Sequence, residues 1–147
     1  MKDNEKMNRI ELKMKKSVFE QRNVIKSADA YDVIRKFYGD EIEIYESFFI
    51  LLLNRSNTCI GFAKISQGGC VGTVIDVKMI AKYVIDSFAQ SVILAHNHPS
   101  GNTTPSNEDK LLTEKIRNTL RLFDCEVVDH LILTPDNYYS FADEGIL

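Results

Sequence analysis

One stretch carries most of the information about fold and chemistry: Ser91-Val-Ile-Leu-Ala-His-Asn-His-Pro-Ser-Gly-Asn-Thr-Thr-Pro-Ser-Asn-Glu-Asp109. It begins as a short apolar run over residues 91–95, which is typical of a buried strand. A polar loop with a proline and a glycine follows from His96 to Thr104, and a helix is predicted from about Ser106 to Phe123. A buried strand, a tight loop and a helix in this order indicate a sheet with helices packed against it.

The rest of the chain repeats this alternation. Helix signals begin at Ser27 and stop at Gly39, and Asp76 is placed to cap a helix over residues 77–89. Runs over 46–54 and 58–66 are separated by a polar turn and predict an antiparallel hairpin. Further strands are predicted at 73–75, 91–95, 127–133 and 138–141. The expected class is therefore α/β or α+β, with a mixed β-sheet flanked by helices.

Length and composition indicate a single globular domain. The 147 residues are 44% hydrophobic and 27% charged, with a formal net charge of −3. Proteins that bind duplex nucleic acid normally carry a basic excess, which this composition lacks, although a local patch remains open. We expect an N-terminal arm over residues 1–27 and the domain over 28–147.

The same survey predicts a cytoplasmic protein without a membrane segment. Residues 1–19 are charged throughout, and no stretch approaches the ~20 apolar residues that span a bilayer. The three cysteines, Cys59, Cys70 and Cys125, form no C-x-x-C pair, so we interpret them as free thiols in a reducing compartment.

The histidines of the opening stretch predict a metal site. Residues i and i+2 of an extended segment point to the same side, so His96 and His98 can approach one cation. The Pro/Gly loop turns the chain back, so that Asp109 in the first helical turn can add a carboxylate. Two histidines, an aspartate and an open fourth position are typical of catalytic zinc. Each part alone has another interpretation, because Ser106-x-x-Asp109 is also a helix-capping pattern.

A zinc hydrolase also needs a general base, and four glutamates are candidates. These are Glu41, Glu43, Glu46 and Glu108. Glu46 stands at the head of a buried strand and is slightly favoured, whereas Glu108 is expected to face solvent. The residues alone leave this choice open.

The motif also resembles that of a known family. His96-x-His98-Pro99-x-Gly101 followed by Pro105-Ser106-x-x-Asp109 resembles the JAMM motif of JAB/MPN-domain metalloproteins, in the variant of the RadC-like (UPF0758) branch. Residues 46–54, 129–133 and 138–145 are also similar to that branch, and the resemblance covers about residues 28–147.

The resemblance implies a cytidine-deaminase-like mixed sheet between helices and a zinc metallopeptidase or isopeptidase acting on a peptide or protein. By the family's pattern, His96, His98 and Asp109 would hold Zn²⁺, Glu46 would be the acid/base, and Ser106 would stabilise the oxyanion.

Two other functions stay open at this point. One is a DNA-associated accessory protein, in line with the DNA-repair role attached to the family name, and the other is a non-catalytic interaction module with structural zinc. Longer RadC-like proteins have an N-terminal helical region resembling a DNA-binding module, and in its place we expect only the arm here. For His130 we expect a hydrogen-bonded structural role, with support of the zinc ligands as the alternative. Asn97 could contact substrate or stabilise its turn.

Overall fold

A computed structural model describes residues 6–11, 13–68 and 74–147 of the chain. Its five strands are β1 (Ser47–Leu53), β2 (Cys59–Gln67), β3 (Ser91–Asn97), β4 (Glu126–Leu133) and β5 (Tyr138–Ser140). Its α-helices are α1 (Ser27–Ile34), α2 (Val77–Ser87) and α3 (Asn107–Arg121), and short 3-10 helices cover Arg35–Phe37 and Asp40–Glu43.

The strands form one mixed sheet in the order β2-β1-β3-β4-β5. β1 is antiparallel to both β2 and β3, β3 is parallel to β4, and β4 is antiparallel to β5. The parallel pair needs a crossover, which α3 provides. The predicted mixed sheet flanked by helices is confirmed.

Both faces of the sheet are covered, which explains why the central strands β1 and β3 are buried along their whole length. All seven residues of β1 and all seven of β3 are buried. Alternate side chains divide between two cores. Phe48, Ile50 and Leu94 belong to the core that includes α2 and α3, whereas Phe49, Leu51 and Ile93 belong to the core that includes α1.

Most predicted elements are present, with shifted ends. β3 extends through Asn97, two residues past its predicted end, because β1 and β4 pair with it on both sides up to His96. His96 therefore lies in a strand and not in the loop. The predicted strand at 73–75 is wrong for Val74 and Ile75, which have no regular secondary structure, and Val74 is 91% exposed. Thr73 lies outside the described residues.

The described part of the arm contacts the β1–β2 hairpin. The Val24 amide donates to the Asn57 carbonyl, and the Cys59 amide donates to the Arg22 carbonyl. The Phe19 ring packs against Phe62 with 5.5 Å between centroids. These contacts join the end of the arm to the edge of the sheet.

Two further expectations concern the thiols and the membrane. Cys59 and Cys125 are buried free thiols, as predicted, and Cys70 lies outside the described residues. None of the helices within the described ranges has the length and apolar character needed to span a bilayer.

Candidate metal centre

Three predicted site residues come together where β3 ends and α3 begins. The Nε2 atoms of His96 and His98 are 3.0 Å apart. Asp109 faces both of them, with Oδ1 3.3 Å from His96 Nε2 and Oδ2 3.5 Å from His98 Nε2. Two histidines at the end of β3 and an aspartate more than ten residues further along the chain thus present two ring nitrogens and a carboxylate to one point.

The register of the sheet explains how Glu46 reaches the same place. Phe48 pairs with His96 across the antiparallel β1/β3 ladder. Two residues before Phe48 stands Glu46, on the same face and level with His98. Its Oε1 lies 3.9 Å from His96 Nε2.

The loop after β3 folds back through Gly101 and orients His98. The Gly101 amide donates to the His98 carbonyl, and Gly101 has φ +84°, a left-handed conformation that favours glycine. The turn brings the Asn102 carbonyl oxygen to 2.6 Å from His98 Nδ1. Because a carbonyl has no proton, His98 must carry a proton on Nδ1, and a neutral His98 then has its lone pair on Nε2.

Asp109 also belongs to a capping box with Ser106. The Ser106 Oγ accepts from the Asp109 amide at 3.0 Å, and Asp109 Oδ2 accepts from the Ser106 amide at 2.8 Å. The capping interpretation from the sequence is therefore confirmed, and it fixes the carboxylate that faces the histidines. Ser106 Oγ accepts in this pair, so its own proton is available to a further acceptor.

Two overlapping sets of side chains could hold a metal ion. Glu46, His96 and His98 present ligand atoms that all lie within 4.8 Å of one another. Asp109 lies nearer to the histidines than Glu46 does, at 3.3 and 3.5 Å against 3.9 Å. The distances therefore favour Asp109 as the third ligand and leave Glu46 beside the group. Among the described glutamates, Glu46 alone places its carboxylate within 4.0 Å of a histidine ring nitrogen.

The charges in this group are strongly coupled. Hydrogen bonding to Asp109 raises the pKa of His98 above its ordinary value, against the opposing effect of burial. Burial alone would raise the pKa of the Asp109 carboxyl, but hydrogen bonds to His96 and His98 outweigh it and hold that pKa well below its usual range. The carboxylate is thus ionised and paired with imidazole rings.

Asn97 has a role that sequence reasoning left open. Its side chain is fully buried, and its Oδ1 accepts from the Ser47 amide at 2.8 Å. Its Nδ2 donates to the carbonyls of Ile42 and Tyr45, both at 2.7 Å. Asn97 was expected either to contact substrate or to stabilise its own turn. Its hydrogen bonds instead hold the backbone of the segment that leads to Glu46. A lone Asn between two histidines gives no signal for partners 50 or more residues away.

His130 lies directly behind His96. The His96 Nδ1 and His130 Nε2 atoms are 2.7 Å apart, and His130 Nδ1 is 2.6 Å from Thr113 Oγ1. His130 is completely buried, and desolvation lowers its pKa well below the ordinary value. The expected hydrogen-bonded role is confirmed, and the partner is a predicted metal ligand. Thr113 was not singled out from the sequence, because a threonine on the buried face of a helix carries no such signal.

Similar proteins place the chain in a family. A sequence profile of the RadC-like JAB domain matches residues 24–146. A UPF0758 protein of Flavobacterium johnsoniae is 40% identical over 129 residues, which cover 88% of this chain and 56% of that protein. A UPF0758 protein of Vibrio cholerae is 41% identical over 118 residues, which cover 79% of this chain and 74% of that protein. The UPF0758 protein YfjY of Escherichia coli is 41% identical over 102 residues, which cover 69% of this chain and 64% of that protein. The chain spans about half the length of the Flavobacterium johnsoniae relative. It belongs to the RadC-like JAB-domain family.

Proposed function

We propose that His96, His98 and Asp109 bind one zinc ion, and that the chain uses it to hydrolyse an amide bond of a peptide or protein. The observation that carries the proposal is the convergence of two imidazole Nε2 atoms and one carboxylate within 3.0–3.5 Å of one another. The JAB/MPN family includes metalloproteases, and membership in it supports the same assignment.

The spacing of these atoms fits a tetrahedral zinc. Zinc bonds to imidazole nitrogen and carboxylate oxygen are ~2.0–2.2 Å long, so neighbouring ligand atoms of a tetrahedron are about 3.3–3.6 Å apart. The two Nε2 atoms are 3.0 Å apart, and Asp109 faces them with different oxygens, Oδ1 at 3.3 Å from His96 and Oδ2 at 3.5 Å from His98. Each contact is thus close to the separation of two ligand atoms on one zinc. The donor set also fits, because a zinc ion would take the place of the ring protons that bridge the imidazoles and the ionised Asp109 carboxylate.

The exposure of the group supports catalysis over a purely structural metal. The exposed fraction of the side chain is 19% for His98, 15% for Asp109 and 21% for Glu46, whereas it is 2% for His96. Substrate can therefore approach from the side of Glu46. A structural zinc site is normally closed by a fourth protein ligand.

The chain's own residues divide the remaining work. When bound, zinc supplies Lewis-acid chemistry, polarising a carbonyl and making water a better nucleophile. Glu46, whose carboxylate lies beside the group, would accept a proton from the attacking water and pass it to the leaving amine. The Ser106 hydroxyl proton, which the capping box leaves available, would donate to the developing oxyanion, the role that the family resemblance implies for it.

A matched pair of glutamate substitutions tests the proposal. Glu46→Gln should retain zinc and lose turnover of a peptide library by zinc-loaded protein. Glu108→Gln changes an exposed glutamate next to a ligand and should retain both. Equal turnover in wild type and Glu46→Gln would show that Glu46 is not the general base. Stoichiometric zinc in both His96→Ala and His98→Ala would contradict the proposed metal site.

The DNA-associated alternative makes a different prediction. It requires tight DNA binding whose affinity falls steeply with salt, because phosphate contacts release counterions. A salt titration with the same protein preparation therefore separates the two functions, and the proposed hydrolase requires no such binding.

A further inference from the structure

A chain of four hydrogen-bonded groups leads from α3 to His96. The Asp109 carbonyl oxygen is 2.6 Å from Thr113 Oγ1, which is 2.6 Å from His130 Nδ1. The opposite ring nitrogen of His130, Nε2, is 2.7 Å from His96 Nδ1. Three short hydrogen bonds in series thus connect one backbone carbonyl to the ring of a proposed ligand.

The first group in the chain sets the direction of all the others. A backbone carbonyl only accepts, so the single hydroxyl proton of Thr113 must lie between Oγ1 and the Asp109 oxygen. This bond from threonine to the carbonyl four residues earlier is common inside helices. With that proton committed, Thr113 Oγ1 can only accept from His130, whose proton therefore stands on Nδ1.

The same reasoning carries through to His96. A neutral His130 with its proton on Nδ1 has a lone pair on Nε2, so the proton in the last bond comes from His96 Nδ1. We propose that Thr113 and His130 are positioning residues that hold His96 with its proton on Nδ1 and its lone pair on Nε2, directed at the zinc. The proposal rests on the proposed function for its zinc, but not for its hydrogen bonds.

Burial makes this arrangement hard to replace. His130 and Thr113 are 0% and 3% exposed, so water is not at hand to satisfy a proton or lone pair that loses its partner. Aromatic rings also restrict the two imidazoles. Phe48 stacks on His96 with 5.9 Å between centroids, and Phe141 stacks on His130 at 4.6 Å. The rings therefore have little freedom to turn and adopt another pairing.

The reverse arrangement of protons would block the site. If Thr113 donated to His130 Nδ1, the His130 proton would stand on Nε2 and be donated to His96 Nδ1. The proton of a neutral His96 would then stand on Nε2, the position that zinc needs. The reverse arrangement would also leave the Thr113 and Asp109 oxygens 2.6 Å apart with no proton between them. One backbone carbonyl thus selects the tautomer that can bind metal.

Two valine substitutions on α3 form the test. Thr113→Val removes the hydroxyl at nearly constant shape, and we expect zinc affinity to fall by about 10- to 100-fold, the effect of losing a partner behind a metal ligand. Thr119→Val is the matched control, because Thr119 Oγ1 makes the same bond to the Lys115 carbonyl, at 2.8 Å, with no histidine behind it. Thr119→Val should leave the affinity unchanged, and Thr113→Ser, which keeps the hydroxyl, should restore it. Affinity is measured by competition with a chromophoric zinc chelator.

A second pair of variants addresses His130 itself. His130→Gln offers an amide oxygen to His96 and an amide proton to Thr113, so it should keep most of the zinc affinity. His130→Leu fills similar space but accepts no proton, and should lose as much affinity as Thr113→Val. Far-ultraviolet circular dichroism confirms that each variant is folded before its affinity is compared.

Nitrogen-15 NMR of the metal-free protein reads the tautomers directly and separates this inference from the proposed function. At about two pH units above the ordinary histidine pKa of ~6.5, His130 should carry its only proton on Nδ1, and His96 Nδ1 should be protonated. In Thr113→Val, His130 should populate the other tautomer. A proton on His130 Nε2 in wild type, or equal zinc affinity in wild type and Thr113→Val, overturns the inference. Failure of wild type to bind zinc overturns the proposed function, and the metal-free tautomers then decide the inference alone.

Discussion

Replacing Asn97 tests how the segment that carries Glu46 is held. Asn97→Ala removes three hydrogen bonds, to the Ser47 amide and to the carbonyls of Ile42 and Tyr45. At about 1 kcal/mol for each bond, the free energy of unfolding should fall by about 3 kcal/mol. The zinc stoichiometry should not change, because the Asn97 side chain lies on the opposite face of β3 from the two histidines.

Urea unfolding of zinc-loaded protein measures this loss, with exposed Asn118→Ala as the control, expected to stay within about 0.5 kcal/mol of wild type. Asn97→Asp sharpens the test. A carboxylate there still accepts from Ser47, but it faces two carbonyl oxygens without a proton, so its pKa is raised and the variant should lose stability as pH rises through that pKa. Hydrogen exchange of the Ser47 amide should accelerate in Asn97→Ala. If the free energy of unfolding fell by less than about 0.5 kcal/mol and the exchange of the Ser47 amide did not change, Asn97 would not hold this segment.

Three further predictions address other parts of the molecule. In metal-free protein, burial lowers the pKa of His130 well below its ordinary value, so His130 takes up its proton only on unfolding. Below pH ~6.5 the free energy of unfolding should therefore fall by about 1.4 kcal/mol per pH unit relative to His130→Gln, a difference of about 2 kcal/mol at pH ~5. Parallel pH profiles of the two proteins would contradict this. Burial raises the pKa of the Cys125 thiol to about 11 and also raises the pKa of the Cys59 thiol. In a Cys70→Ser variant, an alkylating reagent should therefore modify neither thiol until urea unfolds the chain, as measured by mass spectrometry. Ser106→Ala removes the cap of α3 and should cost about 1 kcal/mol of stability in thermal unfolding, whereas Ser106→Asn, another good cap, should restore most of it.

The sequence was sufficient for features that depend on local order. The two-residue spacing of His96 and His98 and the cap at Ser106 are properties of a strand end and a helix start, so they could be predicted directly. The ends of elements were less certain, because pairing on both sides carried β3 two residues past the last apolar position. The strand predicted over Val74 and Ile75 does not form, since β-prone residues form a strand only where a neighbouring strand pairs with them.

Features that depend on the pairing of distant strands could not be predicted from local patterns. The parallel β3/β4 register sets His130 level with Leu94, and α3 then brings Thr113 onto it. The antiparallel β1/β3 register likewise brings Glu46 to the histidines, which is why composition and spacing alone left four glutamates open. These relations appear only when the sheet is assembled.

We propose that Asp109, and not Glu46, completes the zinc site with His96 and His98. Zinc per chain, measured by mass spectrometry after dialysis against a weak chelator, compares Asp109→Asn with Glu46→Gln. Asparagine keeps an oxygen for the Ser106 amide, so the cap of α3 survives while the charged ligand is lost. We expect one zinc per chain in wild type and Glu46→Gln and strong depletion in Asp109→Asn. Zinc retained by Asp109→Asn and lost from Glu46→Gln would contradict this assignment.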